Sequence, residues 1–92
     1  MNIEPLKVGD VESKVIQAPG MIVLDFYQAT CPPCRVLEPR LERIAEQYKG
    51  RVPVYRVDID RDLEVAERFN VKSIPTLLVV QSGKRWSALT GL

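Results

Sequence analysis

Residues 21–34 read MIVLDFYQATCPPC, and this stretch decides the fold more than any other part of the chain. Met21–Tyr27 is an apolar run interrupted only by Asp25, which predicts a strand that is buried on both faces of a sheet. Cys31 follows the strand and stands where a helix begins. If Pro32 occupies the first helical position, Cys31 is the N-cap residue. The sequence therefore predicts a cysteine pair at a strand-to-helix junction.

The segments around this stretch predict an α/β sheet that is parallel at first and ends in an antiparallel hairpin. A short helix with Asp10 as its cap precedes the buried strand, and the residues before Asp10 give weak support for an edge strand. In the later segments, the spacing of the apolar residues alternates between the spacing typical of a helix and that typical of a strand. We predict helices over residues 11–17, 32 to about 48, and 63–69, and strands over residues 21–27, 52–58, 76–80 and 85–89.

Length and composition limit the function classes. The 92 residues are enough for one domain, which we expect to span residues 1–92. The 13 Lys and Arg residues nearly balance the 12 Asp and Glu residues, so charge gives no argument for binding nucleic acid or an anionic membrane. Histidine is absent, which removes the usual acid–base residue at neutral pH and the commonest metal ligand.

The compartment can be inferred from the N-terminus and the apolar runs. The first residues, MNIEPLK, show no basic region followed by an apolar stretch, so they do not resemble a secretory signal. The longest apolar runs, residues 21–24 and 77–80, are too short to span a bilayer. We therefore expect a cytoplasmic protein. In that reducing compartment, two cysteines held two residues apart indicate redox chemistry or metal binding.

The position of the two cysteines assigns them different roles. A sulfur at the N-cap faces free backbone N–H groups and the positive end of the helix dipole, and both favour the thiolate. Cys31 is therefore the expected nucleophile, and Cys34, one turn along, is the expected resolving thiol. A zinc site would need about four ligands, which one chain without His or a third Cys cannot supply from thiolate and imidazole. We expect no metal.

The motifs of residues 25–39 resemble those of the thioredoxin family. DFYQATCPPC followed by RVLEP is similar to the family segment that runs from a strand with a buried Asp, through the active site, to a proline that kinks the helix. Asp25 matches that acid, which in thioredoxins assists proton transfer at the second cysteine, and burial should raise its pKa. Pro39 matches the kink proline. The resemblance covers residues 10–92.

The second half of the chain carries further matches. Ile74-Pro75-Thr76 matches the segment whose proline is cis and lies against the disulfide, and Gly83 and Gly91 match as well. Arg56 stands where thioredoxins usually carry a lysine that modulates the buried acid. Arginine stays charged, so its role would be purely electrostatic. The resemblance implies that substrates contact Thr30, Pro32, Pro33, Ile74, Pro75, Thr76 and Gly91.

The resemblance implies a thioredoxin-like fold, with helices on both faces of a mixed sheet, and a thiol–disulfide oxidoreductase without a cofactor. Its partners would be disulfide-bearing proteins and a thioredoxin-reductase-like electron donor. Two alternatives remain. A proline after the first cysteine suggests a glutaredoxin-like protein, and thioredoxin-like domains can also act as non-catalytic binding subunits.

Two departures from the family pattern affect these expectations. Thr30 replaces the tryptophan that usually precedes the first cysteine, which removes apolar contact surface beside the nucleophile. The chain stops at Leu92, where thioredoxins continue into a final helix on the same face of the sheet as the long helix. Without that helix we expect an apolar patch on one face. The chain would then be a shortened form of a longer one, or a homodimer that covers the patch.

Overall fold

The computed structural model describes residues 3–90, apart from the side chains of Trp86 and Thr90, and contains a mixed sheet of five strands in the order β1-β3-β2-β4-β5. The strands are β1 (Glu4–Pro5), β2 (Met21–Tyr27), β3 (Val54–Asp58), β4 (Thr76–Gln81) and β5 (Lys84–Thr90). The helices are α1 (Pro32–Gln47) and α2 (Leu63–Arg68), with a 3₁₀ turn (Val8–Asp10) and a π-helical segment (Glu12–Ile16) before β2.

The central strand β2 is the apolar run that the sequence marks as buried on both faces. It pairs in parallel with β3 and antiparallel with β4, so both of its edges are hydrogen-bonded. Ile22, Leu24 and Phe26 point to one face and are almost fully buried. Val23 packs on the other face beneath α1. The boundaries predicted for this strand are confirmed.

Helices cover both faces of the sheet, as predicted. On the face of Phe26 the core includes residues of the π-helical segment and of α2. On the opposite face Leu41 of α1 is fully buried with Ile3 and Val54. The packing of α1 on this second face matters for the site, because Asp25 lies two residues after Val23, points to the same face and therefore faces α1.

The hairpin of β4 and β5 forms where the sequence predicts it. Its loop is Ser82-Gly83, and both residues have positive φ (50° and 82°), as a two-residue hairpin of primed type requires. Each strand is one residue longer at its turn end than predicted, and β5 also extends to Thr90. The β3 strand begins at Val54, because Pro53 has no N–H to contribute to the ladder.

The prediction for the N-terminal helix is wrong in its details. The structure has a 3₁₀ turn and a π-helical segment in place of one helix over residues 11–17, and Asp10 ends the 3₁₀ turn instead of capping the next segment. The reason is local, because the Asp10 carboxylate accepts a hydrogen bond from the backbone N–H of Lys7 at 3.0 Å. The weakly supported edge strand is present as β1, which pairs in parallel with β3.

The side of the sheet that faces α1 is only partly covered at β4 and β5. Leu77 and Val79 on this side are half-buried, and Leu89, which pairs with Leu77, is 69% exposed. Within residues 3–90 no helix is long and apolar enough to cross a membrane.

Candidate active site

The link between β2 and α1 fixes the position of Cys31. The backbone N–H of Cys31 donates to the carbonyl of Gln28 at 3.2 Å, which turns the chain after the strand. Cys31 has extended backbone angles and is the N-cap of α1, with Pro32 in the first turn. The backbone N–H of Cys34 donates to Cys31 Sγ at 3.2 Å. The predicted N-cap position of Cys31 is confirmed.

Cys31 and Cys34 form a disulfide, with their Cα atoms 5.2 Å apart. Cys31 retains 7% of its exposure and Cys34 retains 3%, so Cys31 has slightly more surface open to a partner. The N-cap sulfur is also the one that receives the backbone N–H of Cys34, and this hydrogen bond stabilises negative charge on the sulfur. The two sulfurs therefore sit in different electrostatic environments.

Asp25 is buried in the centre of the sheet, with 2% of its surface exposed. Among the described residues its Oδ1 atom has no hydrogen-bond partner. Burial raises the pKa of this carboxyl from its ordinary value of 3.8 to about 6. The Arg56 guanidinium lowers this pKa, and the carboxylate of Glu38 raises it. Asp25 can therefore exchange a proton close to neutral pH.

Arg56 is the neighbour of Asp25 across the β2–β3 ladder. Its Nη2 donates to Glu38 Oε1 of α1 at 3.0 Å, and its guanidinium carbon lies 4.1 Å from the centre of the Tyr27 ring. Arg56 Nε is buried and has no hydrogen-bond partner in the part of the chain that the structure describes. The guanidinium thus joins the sheet to α1 beside Asp25.

The segment from Ile74 to Thr76 lies at the same end of the sheet as the disulfide. The Ile74–Pro75 peptide bond is cis, as predicted. β4 runs antiparallel to β2, so the start of β4 lies beside the end of β2, and Thr76 pairs with Phe26 there. The hydroxyl of Thr76 donates to the carbonyl of Ser73 at 2.6 Å, which holds the turn before β4.

Comparisons with known proteins agree with this geometry. A family model described as Thioredoxin matches residues 3–92. The chain is 31% identical over 80 residues to thioredoxin 1 of Nostoc sp., an alignment that covers 87% of this chain and 75% of that protein. It is 35% identical over 75 residues to thioredoxin of Haemophilus influenzae, covering 82% and 70% of the two chains. It is 30% identical over 77 residues to the chloroplastic M-type thioredoxin of Spinacia oleracea, covering 84% and 42%.

The chain belongs to the thioredoxin family. It is a thiol–disulfide oxidoreductase that acts on disulfide-bearing proteins, and the Cys31–Cys34 disulfide is the oxidised form of its CxxC pair. Among residues 3–90 the structure brings together no group of three or more Cys, Asp or Glu side chains that would hold a metal ion.

The residues that the thioredoxin resemblance assigns to substrate contact differ in their exposure. Thr30, Pro32 and Pro33 are exposed around Cys31, Ile74 is half-buried, and Pro75 and Thr76 are buried. Gly91 lies outside the described residues.

The sequence reasoning missed Glu38, which contacts Arg56 directly. A signal was available, because Glu38 lies four residues after Cys34 and therefore on the same side of α1. It was overlooked because a Glu on a helix is usually a solvated surface residue. Tyr27, whose ring packs against the Arg56 guanidinium, is also absent from the site residues that the sequence analysis names.

The buried acid should make stability depend on pH. In the unfolded chain Asp25 ionises near pH 3.8 and in the folded chain near pH 6, so its cost to folding is absent below pH 3.8 and complete above pH 6. The shift corresponds to about 3 kcal/mol at full ionisation. We expect Asp25→Asn to raise the free energy of unfolding by about 2–3 kcal/mol at pH 8 and by little at pH 4.

Urea unfolding at both pH values measures this difference. Glu42→Gln, which removes one exposed carboxylate from the outside of α1, is the control and should show no such gain at pH 8. An equal effect of Asp25→Asn at pH 4 and pH 8 would contradict the assignment of the raised pKa to Asp25.

Proposed function

We propose that this thioredoxin-family protein reduces protein disulfides, with Cys31 as the nucleophile and Cys34 as the resolving thiol. The observation that carries the proposal is the placement of Cys31 at the N-cap of α1, where its sulfur accepts the backbone N–H of Cys34. This environment favours the thiolate, and the thiolate is the form that attacks a disulfide.

The reaction proceeds in two exchanges. The Cys31 thiolate attacks one sulfur of the substrate disulfide, which forms a mixed disulfide and releases the other substrate sulfur as a thiolate. Cys34 then loses its proton and attacks Cys31 Sγ, which releases the second substrate thiolate. Two electrons pass to the substrate, and the protein is left with the Cys31–Cys34 disulfide, the form in which the pair is found.

Asp25 is the proposed acceptor of the Cys34 proton. It faces α1 from the sheet, and burial raises its pKa to about 6, so near neutral pH it is mostly ionised yet still a useful base. Arg56 supplies a fixed positive charge beside Asp25, and its role is electrostatic because arginine does not exchange protons at these pH values.

Substrate contact is proposed for the exposed rim around Cys31 and for the segment that contains the cis proline. Thr30, Pro32 and Pro33 form the exposed part of this rim. Pro75 and Thr76 lie at the adjacent end of β4. Gly91 is included in the proposed contact surface only because the resemblance to thioredoxins implies that it contacts substrates.

The oxidised pair must be reduced again before the next substrate, so the proposal includes an electron donor of the thioredoxin-reductase kind. A reducing compartment fits a CxxC pair that is used in its dithiol form, and we place the protein in the cytoplasm. Residues 1–92 are treated as one domain.

We further propose that a second copy of the chain covers the exposed side of β4 and β5. Leu89 on this side is 69% exposed, and within residues 3–90 the outer edge of β5 pairs with no other strand. The net charge of +1 leaves little repulsion between two copies. An open edge beside an apolar face favours pairing with another chain.

Sedimentation at micromolar concentration tests the dimer. We expect a dimer for the unchanged chain and a monomer for Leu89→Lys, because the charge would be buried in the interface. Leu63→Lys, at an exposed leucine of α2 on the opposite side of the sheet, is the matched control and should leave the dimer intact. A monomeric unchanged chain contradicts this part of the proposal.

The roles of the two cysteines are tested by alkylation and by trapping. In the reduced protein near pH 7, limiting iodoacetamide should label Cys31 before Cys34. Cys34→Ser should accumulate a mixed disulfide with insulin, whereas Cys31→Ser should accumulate none. Neither variant should catalyse the reduction of insulin when dithiothreitol is the electron donor. Labelling of Cys34 first, or trapping by Cys31→Ser, would reverse the assignment.

A further inference from the structure

Three charged side chains from three elements interact on the side of the sheet that faces α1. Asp25 comes from β2, Arg56 from β3 and Glu38 from α1. Asp25 and Arg56 are neighbours across the ladder, so the strand spacing alone brings their backbones within about 5 Å. A direct hydrogen bond between their side chains is the contact that this register favours.

The structure does not contain that contact. None of the ion pairs within residues 3–90 joins Arg56 to Asp25. The Arg56 guanidinium donates to Glu38 at 3.0 Å and packs against the ring of Tyr27. As a result, Asp25 Oδ1 and Arg56 Nε are both buried, and neither atom has a hydrogen-bond partner within residues 3–90.

Two buried unpaired atoms on neighbouring side chains are unusual, because each has lost its hydrogen bonds to water without gaining a partner in the protein. They persist here because Glu38 and Tyr27 hold the guanidinium in a different place. Glu38 supplies a charge-assisted hydrogen bond, and Tyr27 supplies a flat surface for the guanidinium. The carboxylates of Glu38 on α1 and Asp25 on β2 therefore compete for the Arg56 guanidinium.

We propose that Glu38 is a positioning residue, which binds Arg56 and thereby prevents it from pairing with Asp25, so that Asp25 remains free to accept the proton of Cys34. The proposal rests on the function proposed above for Asp25. Glu38 itself touches neither the substrate nor the sulfurs in this role, because it acts through the guanidinium.

Two effects of Glu38 act on Asp25 in the same direction. Its negative charge raises the pKa of Asp25 directly, and its hold on Arg56 limits how strongly the positive charge lowers that pKa. The other groups around Asp25 do not replace it. Among the described residues, Arg56 and Glu38 are the charged groups that act on Asp25, the cysteines of the disulfide do not titrate, and the β4 neighbour of Asp25 is the uncharged Leu77.

Glu38→Gln removes the charge and keeps the shape of the side chain. Arg56 is then free to pair with Asp25, and we expect the midpoint of the Asp25 titration to fall by about one pH unit. The midpoint is measured directly on the oxidised protein by NMR, with ¹³C label in the Asp side-chain carboxyls. Glu42→Gln, one turn further along α1 and exposed, makes the same change in net charge and should leave the midpoint in place.

A second pair of variants tests whether Glu38 acts through Arg56. Arg56→Met should raise the Asp25 midpoint, and adding Glu38→Gln to Arg56→Met should move it by clearly less than Glu38→Gln moves it alone. An Asp25 midpoint that is unchanged in Glu38→Gln, or an equal shift with and without Arg56, overturns the proposal.

The NMR titration separates this proposal from the proposed function. The midpoint reports the charge on Asp25 whether or not Asp25 takes a proton from Cys34. A shifted midpoint with an unchanged pH profile of insulin reduction supports the role of Glu38 and contradicts the catalytic role of Asp25. A shift of both by the same amount supports both.

Discussion

The burial of a carboxyl group in the central strand is the constraint on which the rest of the site depends. β2 is hydrogen-bonded on both edges and covered on both faces, so Asp25 cannot turn towards solvent without disrupting the sheet. The position costs about 3 kcal/mol when the group is ionised. A chain selected for stability alone would carry an apolar residue here. The cost is understandable if Asp25 serves the adjacent cysteine pair, as we propose.

The same strand also delivers the nucleophile. The turn after Tyr27 brings Cys31 to the start of α1, where Pro32 and Pro33 offer no N–H groups and the first available donor is the backbone of Cys34. α1 then returns over the sheet, and its side chains at Leu41 and Glu38 reach the core and Arg56 respectively. β2 and α1 thus hold the two cysteines, the buried acid and Glu38, and β3 adds the positive charge of Arg56.

The sequence was sufficient for the parts that depend on short-range patterns. The apolar run of β2, the N-cap position of Cys31 and the hairpin at Gly83 each follow from local rules of burial, capping and turn geometry. The Glu38–Arg56 contact could not be predicted in this way, because it depends on how α1 lies across β3. The π-helical segment also escaped prediction, since the side chain of Asp10 binds the backbone of Lys7 instead of the helix that follows. The order of the strands in the sheet depends on long-range pairing, which no local pattern specifies.

The central proposal is that Asp25 serves the second exchange and not the first. Rapid mixing of the reduced protein with a fluorescent disulfide peptide resolves the two exchanges as separate phases between pH 5 and pH 9. We expect Asp25→Asn to leave the rate of the first phase nearly unchanged. The second phase should slow about tenfold or more at pH 7 and lose its dependence on a group with a midpoint near pH 6. A second phase with the same rate and the same pH dependence in Asp25→Asn would contradict this role of Asp25.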